Sequence, residues 1–352
     1  MIIIKTIILS ILLHVFIEVY QHAQNVGTSE EDGCDDNPAW FLSETHAGDK
    51  NFWIWHPDPK NVDKYDDYLI RHEEYTVSVD KYLTSEKYCP NSKIPLLILI
   101  TSAASHFDAR QAIRDTWLLD AQSHNVQHFF VLGKTSDEQV MRSIHDEDDQ
   151  HHDIIQLDFI DSYRNLTLKS MLALRWSMSH CPSAQFVMKA DDDIYVDTDM
   201  TVEYLAQHGH EHCVMGNAWL FANVAGVLVD KLSALLIPNK NTVPHGLYGG
   251  TTYPPYVSGV SYTMSRKVVK RVMYAAEHLL PALFVEDLYL TGFAAQYANV
   301  SICDVSGTLV HLNLHSGCAY GDLQYFGENM AIVGDKCSPK HLKEILYLKR
   351  QL

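Results

Sequence analysis

Short apolar runs alternate with longer mixed stretches through the middle of this 352-residue chain. Ile94-Pro95-Leu96-Leu97-Ile98-Leu99-Ile100 is a continuous apolar run of strand length, the pattern of a strand buried on both faces. Arg110 to Leu119 reads as a helix. Gln127 to Gly133 is a second buried strand closed by glycine, and Ser136 to Asp149 a polar helix. Asp153 to Leu157 is a third strand. Leu166 to Ser179 is a helix with apolar residues at helical spacing, and Gln185 to Lys189 is a fourth strand. Strands alternating with helices predict an α/β fold with a mostly parallel central sheet and helices on both faces. No internal repeat or low-complexity tract breaks the pattern, and the folded domain is expected to span 93–352.

The flanking segments differ. One early cation, Lys5, precedes an apolar stretch from Thr6 to Ile17. That is short for a full span of ~20 residues and suits a signal-peptide core. No small-x-small cleavage pattern follows, so 1–5 is expected to be a short cytosolic tail and 6–20 a signal anchor. A cleaved signal peptide is the alternative, and both send the remainder into the secretory lumen. Residues 21–92 are polar and acidic, with Glu30-Glu31-Asp32, Asp35-Asp36 and Asp66-Asp67, and read as a stem. Within it, the aromatic patch Phe52-Trp53-Ile54-Trp55 is expected to pack on the domain.

Composition narrows the function. A hydrophobic content of 47% fills a core, and 20% charged residues is ordinary for a globular chain. The formal net charge of -17 argues against a nucleic-acid partner, which calls for a clustered basic surface. It argues equally against purely electrostatic binding to anionic lipid. Seven cysteines (34, 89, 181, 213, 303, 318 and 337) include no C-x-x-C pair, which excludes a zinc ribbon or thioredoxin motif. In an oxidising lumen several are expected to pair, with one left over and the pairing open. Asn165-Leu166-Thr167 and Asn299-Val300-Ser301 are glycosylation sequons, although Asn165 equally suits a cap for the helix that follows.

The strongest chemical signal is Lys189-Ala190-Asp191-Asp192-Asp193, an apolar strand running into three carboxylates. Ligands of open α/β sheets bind beyond the carboxyl ends of the strands. Three adjacent carboxylates repel one another unless a cation neutralises them, and hard oxygen ligands suit Mg²⁺ or Mn²⁺ bridged to phosphate. A solvated acidic turn is the bland reading. The buried strand before the triplet and the apolar residues after it favour the metal.

Around this segment the chain resembles the beta-1,3-galactosyltransferase family, which includes beta-1,3-N-acetylglucosaminyltransferases. Six stretches carry the resemblance in order: Arg110 to Trp117, Phe130 to Gly133, Asp153 to Lys169, the Lys-x-Asp-Asp-Asp segment, Tyr253 to Tyr262, and Glu286 to Gly292. Together they cover about 94–295. The resemblance implies a GT-A type fold and a single-pass type II protein of the Golgi membrane with its catalytic domain in the lumen. It implies Mn²⁺ as cofactor and UDP-galactose or UDP-N-acetylglucosamine as donor. A glycan on a glycoprotein or glycolipid would be the acceptor, with a beta-1,3 linkage as product.

The same resemblance assigns roles. Asp193 would be the first metal ligand, with Asp191 beside it. Asp191, Asp192 and Lys189 would meet the donor. Asp287 would be the base that takes the acceptor proton, although Glu286-Asp287 also suits the first turn of a helix. Thr101 and Ser102, just past the first strand, are candidates for touching the nucleotide. Arg110 and Arg114 share a helical face and point either to the diphosphate or to pairing with acids such as Asp108 or Asp115. Tyr253 to Tyr262 reads as a loop near the site, with Tyr256, Ser258 and Gly259, together with Glu286, shaping the pocket. Trp117 is expected in the core.

Two departures from the family pattern stand out. The family's C-terminal metal histidine, before a Ser-Pro pair, is replaced at the matching position by Asp335, with His311 and His315 as alternatives. The stretch 218–250 also diverges, which leaves the substrate open. A non-catalytic lumenal binding protein on the same fold is the alternative reading. A glycosidase is disfavoured, because its two carboxylates flank the scissile bond rather than adjoin in sequence.

Overall fold

A computed structural model of the chain describes residues 55, 67–78, 81–84, 89–119, 121–209, 212–220, 243, 247–248, 253–306, 310–311, 332–333 and 336–351. All of them belong to the unit Lys50–Leu352. In chain order the elements are β1 (Leu69–Ile70), α1 (His72–Ser78), β2 (Ile94–Thr101), α2 (Phe107–Arg114), β3 (Gln127–Lys134) and α3 (Glu138–His151). Next come β4 (Ile154–Ile160), α4 (Leu166–His180), β5 (Ala184–Asp191), β6 (Tyr195–Val196), α5 (Thr198–His208) and β7 (Cys213–Trp219). The last are β8 (Tyr256–Ser265), α6 (Arg266–His278), β9 (Ala282–Leu283), a π-helical turn (Leu288–Ala294), β10 (Ser301–Asp304), β11 (Val310–His311), β12 (Ile332–Val333) and α7 (Pro339–Lys349).

Seven strands form the central sheet in the order β10-β7-β8-β5-β2-β3-β4. Only β8 runs against its neighbours, so β2, β3, β4, β5 and β7 all end at the same edge. Alternation along β2 explains the layers. Leu96, Ile98 and Ile100 point into a core shared with Ile113 and Trp117 and with Leu342 and Ile345 of α7. The opposite face of the sheet takes α4 and α6, which also pack on each other. Trp117 is 1% exposed, as expected, and its indole N–H donates to Ile194 O at 3.1 Å.

The expected strands and most of the helices are present with small differences in their ends, but the helix expected over Arg110 to Leu119 runs Phe107–Arg114, and 115–119 form turns closed by bonds such as Thr116 N–H to Ile113 O at 3.2 Å. Tyr253 to Tyr262 differs more. Its glycine and prolines predicted a loop, whereas Tyr256 onward is an interior strand held between β5 and β7. The proline pair only precedes it. The glycine lies at an irregularity, since between Gly216↔Tyr262 and Ala218↔Val257 two steps on β7 oppose five on β8. Such a bulge takes backbone groups out of the ladder and aims them elsewhere.

Several residues from 50–92 lie against the sheet unit. Trp55 is 2% exposed, in accord with the expected packing of the aromatic patch. β1 pairs with β9, and Cys89 is bonded to Cys181. Cys213 is bonded to Cys303, joining the adjacent strands β7 and β10, and Cys337 is also disulfide-bonded. The N-terminal segment, most of the expected stem, Cys34 and Cys318 lie outside the described residues, as do Asp335 and His315. No helix among the described residues is long and apolar enough to cross a membrane.

Candidate active site

The site lies where β2 and β5 end side by side. Thr101 pairs in register with Asp191, so both leave the sheet together. Thr101 Oγ1 donates to Asp191 Oδ1 at 2.9 Å, and Ser102 Oγ donates to Asp192 Oδ2 at 2.6 Å. The two hydroxyls expected to touch a nucleotide therefore first hold the carboxylates. His106 Nδ1 lies 2.9 Å from the same Asp192 oxygen, and that contact leads in pushing the imidazole pKa up. A cleft of about 530 Å³ opens in front of Asp191, Asp192 and Asp193. Its far wall includes Asp161, Tyr163 and Lys169.

Lys189 joins the triplet to the proposed base. Its ammonium donates to Asp191 Oδ1 and to the carbonyl of Gly259. Burial works against this charge, but Asp191, Glu286 and Asp287 outweigh it and hold the pKa above the usual lysine value. Gly259 sits in the β8 bulge, where its other backbone group is also released. Its N–H donates to Asp287 Oδ2 at 3.0 Å. One residue thus faces Lys189 with its carbonyl and Asp287 with its amide. A side chain does not fit here, because a Cβ on Gly259 would lie 3.1 Å from Glu286 Oε2 and 3.2 Å from Asp287 Cβ.

The second oxygen of Asp287, Oδ1, accepts from Leu288 N–H at 2.8 Å, a contact of the capping kind also anticipated for this pair. Burial raises the Asp287 pKa, with these two amides opposing it. Glu286 is 3% exposed, its Oε1 accepting from Tyr262 Oη at 2.6 Å. Burial leads in pushing its carboxyl up to about 7. Ser258 is buried in the same bulge. Tyr256 has its hydroxyl pKa raised by burial first and by the charge of Asp287 second.

Arg110 and Arg114 do not line the cleft. Arg110, fully buried, forks onto Glu147, and Arg114 bridges Glu147 and Asp153 at 2.7 and 2.8 Å. Their partners are distant acids rather than Asp108 or Asp115. Arg110 still supports the site from behind, donating to Ala103 O at 2.8 Å and to Ser102 Oγ at 3.2 Å. Lys169 does the same from the cleft side, bonding Ser102 O at 2.7 Å and Asp161 at 2.8 Å. Lys169 and Tyr163 belong to the stretch Asp153 to Lys169 that resembles the family. Tyr163 stands 48% exposed over the cleft and feels both Asp287 and Asp191, after burial, in its raised pKa. The signal for both was their place in the segment before and within α4.

The two sequons differ. Asn165 makes no cap with its side chain; Nδ2 donates back to Ile160 O at 2.8 Å. Thr167 is fully buried and donates to Leu283 O. Asn299 is exposed on a turn, with φ at 50°.

The chemistry of the donor set suits a hard divalent ion in a limited way. Such an ion is commonly held by one or two carboxylates together with substrate phosphates. Asp191 is engaged by Lys189 and Asp192 by Ser102 and His106, and all three carboxylates, Asp193 included, line the cleft where such an ion would sit. No group of three acidic, histidine or cysteine ligands forms among the described residues. The backbone brings the C-terminal segment alongside: β12 pairs with β6, and Cys337 N–H donates to Asp193 O at 2.7 Å.

Comparison with known proteins agrees with this geometry. A family model described as Galactosyltransferase matches residues 108–306. The chain is 35% identical over 258 residues to the human "UDP-GalNAc:beta-1,3-N-acetylgalactosaminyltransferase 1", covering 71% of this chain and 72% of that one. It is 36% identical over 213 residues to the Mus musculus protein of that name, covering 59% of this chain and 62% of the relative. The Danio rerio "Lactosylceramide 1,3-N-acetyl-beta-D-glucosaminyltransferase B" is 32% identical over 257 residues, 70% of this chain and 62% of that one. Among solved structures, the galactosyltransferase LgtC with donor and acceptor sugar analogs aligns at TM-score 0.39 and 8% identity over 73% of this chain and 96% of that one. A likeness at that level carries no weight beside the sequence matches. The chain belongs to the galactosyltransferase family. It spans 62% of the length of the mouse relative.

Proposed function

We propose that the chain is an inverting hexosyltransferase that moves galactose, N-acetylgalactosamine or N-acetylglucosamine from a UDP-sugar to a glycan hydroxyl in beta-1,3 linkage. The reading is carried by one observation: Lys189 and Gly259 tie the acid triplet and Asp287 to one end of the sheet. The relatives' names extend the donor choices to UDP-N-acetylgalactosamine. Acceptors are then glycans of glycoproteins or glycolipids, and the protein works from the Golgi membrane, anchored by its N-terminal segment.

The nucleotide diphosphate occupies the cleft before Asp193, with Lys169 as the cation on its wall. Asp193, with Asp335 or a histidine as second candidate, would hold Mn²⁺, which supplies Lewis-acid stabilisation of charge on the departing diphosphate. Lys189 neutralises Asp191, so the triplet does not repel a diphosphate with its full charge. Asp287 is oriented by two amide donors and made more basic by burial. Held in that orientation it accepts the proton of the attacking hydroxyl. Direct displacement on the face opposite UDP converts an α-linked donor into a β-linked product.

The test is a donor screen on purified residues 21–352, with UDP release as readout. One UDP-hexose, turned over only with Mn²⁺ and a saccharide acceptor present, is the expected result. No UDP release in the screen, together with no calorimetric binding of any UDP-sugar in the presence of Mn²⁺, would instead support a non-catalytic glycan-binding protein.

A further inference from the structure

Beyond Asp287, the same edge of the sheet carries an aromatic pair that the transfer step does not use. β7 ends at Trp219, directly opposite Tyr256 at the start of β8. Because β5 and β7 both run against β8, Trp219 leaves the sheet at the edge where Asp191 does. The two rings stack, 6.5 Å between centroids and 15° from parallel.

Tyr256 is fixed relative to Asp287 by the π-helical turn. Thr291 Oγ1 accepts from Val257 N–H at 2.8 Å and donates to Asp287 O at 2.6 Å. Gly292 closes the contact, since a Cβ there would lie 3.2 Å from Tyr256 Cβ. Tyr256 is therefore held in a fixed place relative to the base. Trp219 itself is 38% exposed and Leu220 beside it 48%, whereas Trp117 and Trp176 are each 1% exposed. An open indole stacked on a tyrosine that is itself tied to Asp287 through Thr291 suits a ligand with one apolar face.

We propose that Trp219, backed by Tyr256, is the platform on which the pyranose ring of the acceptor lies while one of its hydroxyls faces Asp287. A neutral hexopyranose has the required chemistry: its C–H face packs on the indole and its hydroxyls reach the polar rim. The inference rests on the transferase reading. Trp219 also opens the stretch that departs from the family pattern, so it contributes to acceptor choice in this chain rather than to chemistry shared by the family.

The experiment compares wild type with Trp219→Ala and Trp219→Phe in residues 21–352. The acceptor is whichever of lactose, N-acetyllactosamine and p-nitrophenyl β-D-galactopyranoside the wild type uses best. A contact made equally in ground and transition states raises KM without lowering kcat. Trp219→Ala is expected to raise the acceptor KM roughly tenfold or more, with the donor KM changed less than about twofold and kcat less than about threefold. Trp219→Phe should recover most of the acceptor affinity. An unchanged acceptor KM in Trp219→Ala overturns the proposal. So does a donor KM that rises as much as the acceptor KM. A wild type that releases no UDP from any UDP-sugar, with or without acceptor, overturns the transferase reading itself, and this proposal with it.

Discussion

Replacing Glu286 by glutamine should make the protein more stable, but only above acidic pH. The Glu286 carboxyl is 3% exposed, and its Oε2 has no hydrogen-bond partner. Burial is the main reason its pKa rises from 4.5 to about 7, with Lys189 opposing and Asp287 adding. At ~1.4 kcal/mol per pH unit, that gap is worth about 3 kcal/mol. The folded chain holds this proton more tightly than the unfolded one. Below pH ~4.5 both states are protonated and the site costs nothing. From there to about pH 7 stability falls as pH rises, and above that the whole penalty is present. Glutamine carries no charge at any pH. Its carbonyl continues to accept from Tyr262, and its amide replaces an oxygen that has no partner in the wild type. The variant's advantage should therefore grow from about zero at pH 4.5 to about 3 kcal/mol at pH 8. Urea unfolding followed by tryptophan fluorescence at pH 4.5, 6 and 8 measures it. An advantage independent of pH, or a wild type more stable at pH 8, would refute the reasoning.

Arg114→Met should destabilise the fold by about 3 kcal/mol by taking the arginine from Asp153, while Glu147 keeps Arg110, and the donor KM should change less than twofold; denaturant melts and donor titration check the two halves. The effect should shrink at low pH. Burial opposes ionisation of Asp153, yet Arg114 and His128 hold its carboxyl well below the usual range, so its stabilisation is lost only as pH falls through that depressed value. Converting Cys89 and Cys181 to serine opens a loop of 92 residues and should cost about 4–5 kcal/mol, read as a lowered urea midpoint.

How much of this was legible beforehand depended on range in sequence. β2, β3, β4 and β5 announced themselves because strands buried on both faces must be continuously apolar, and the triplet was legible because it ends such a strand. The bulge in β8 was not. Glycine and proline look alike whether they break a strand or punctuate one, and only the pairing with β5 and β7 shows that Tyr256–Ser265 stays in the sheet. Arg110 and Arg114 share a helical face as expected, but their partner Glu147 is on α3, 37 and 33 residues away, and local spacing carries no information about it. The pairing of Cys89 with Cys181 and of Cys213 with Cys303 was hidden for the same reason. Lys189 sits two residues before the triplet's first aspartate, yet its second partner, Gly259, is 70 residues on. The link between metal side and base side is thus a product of the fold.

The role of Asp287 as base is tested most directly by Asp287→Asn, measured twice on the same preparation. Calorimetric titration with UDP and Mn²⁺ reports the cleft, and transfer to a saccharide acceptor reports the proton step. General-base catalysis is typically worth ~10²–10⁴ in rate. The variant should bind UDP–Mn²⁺ within about threefold of wild type and lose transfer by ~10³-fold. Transfer within about tenfold of wild type, with binding intact, would contradict the assignment.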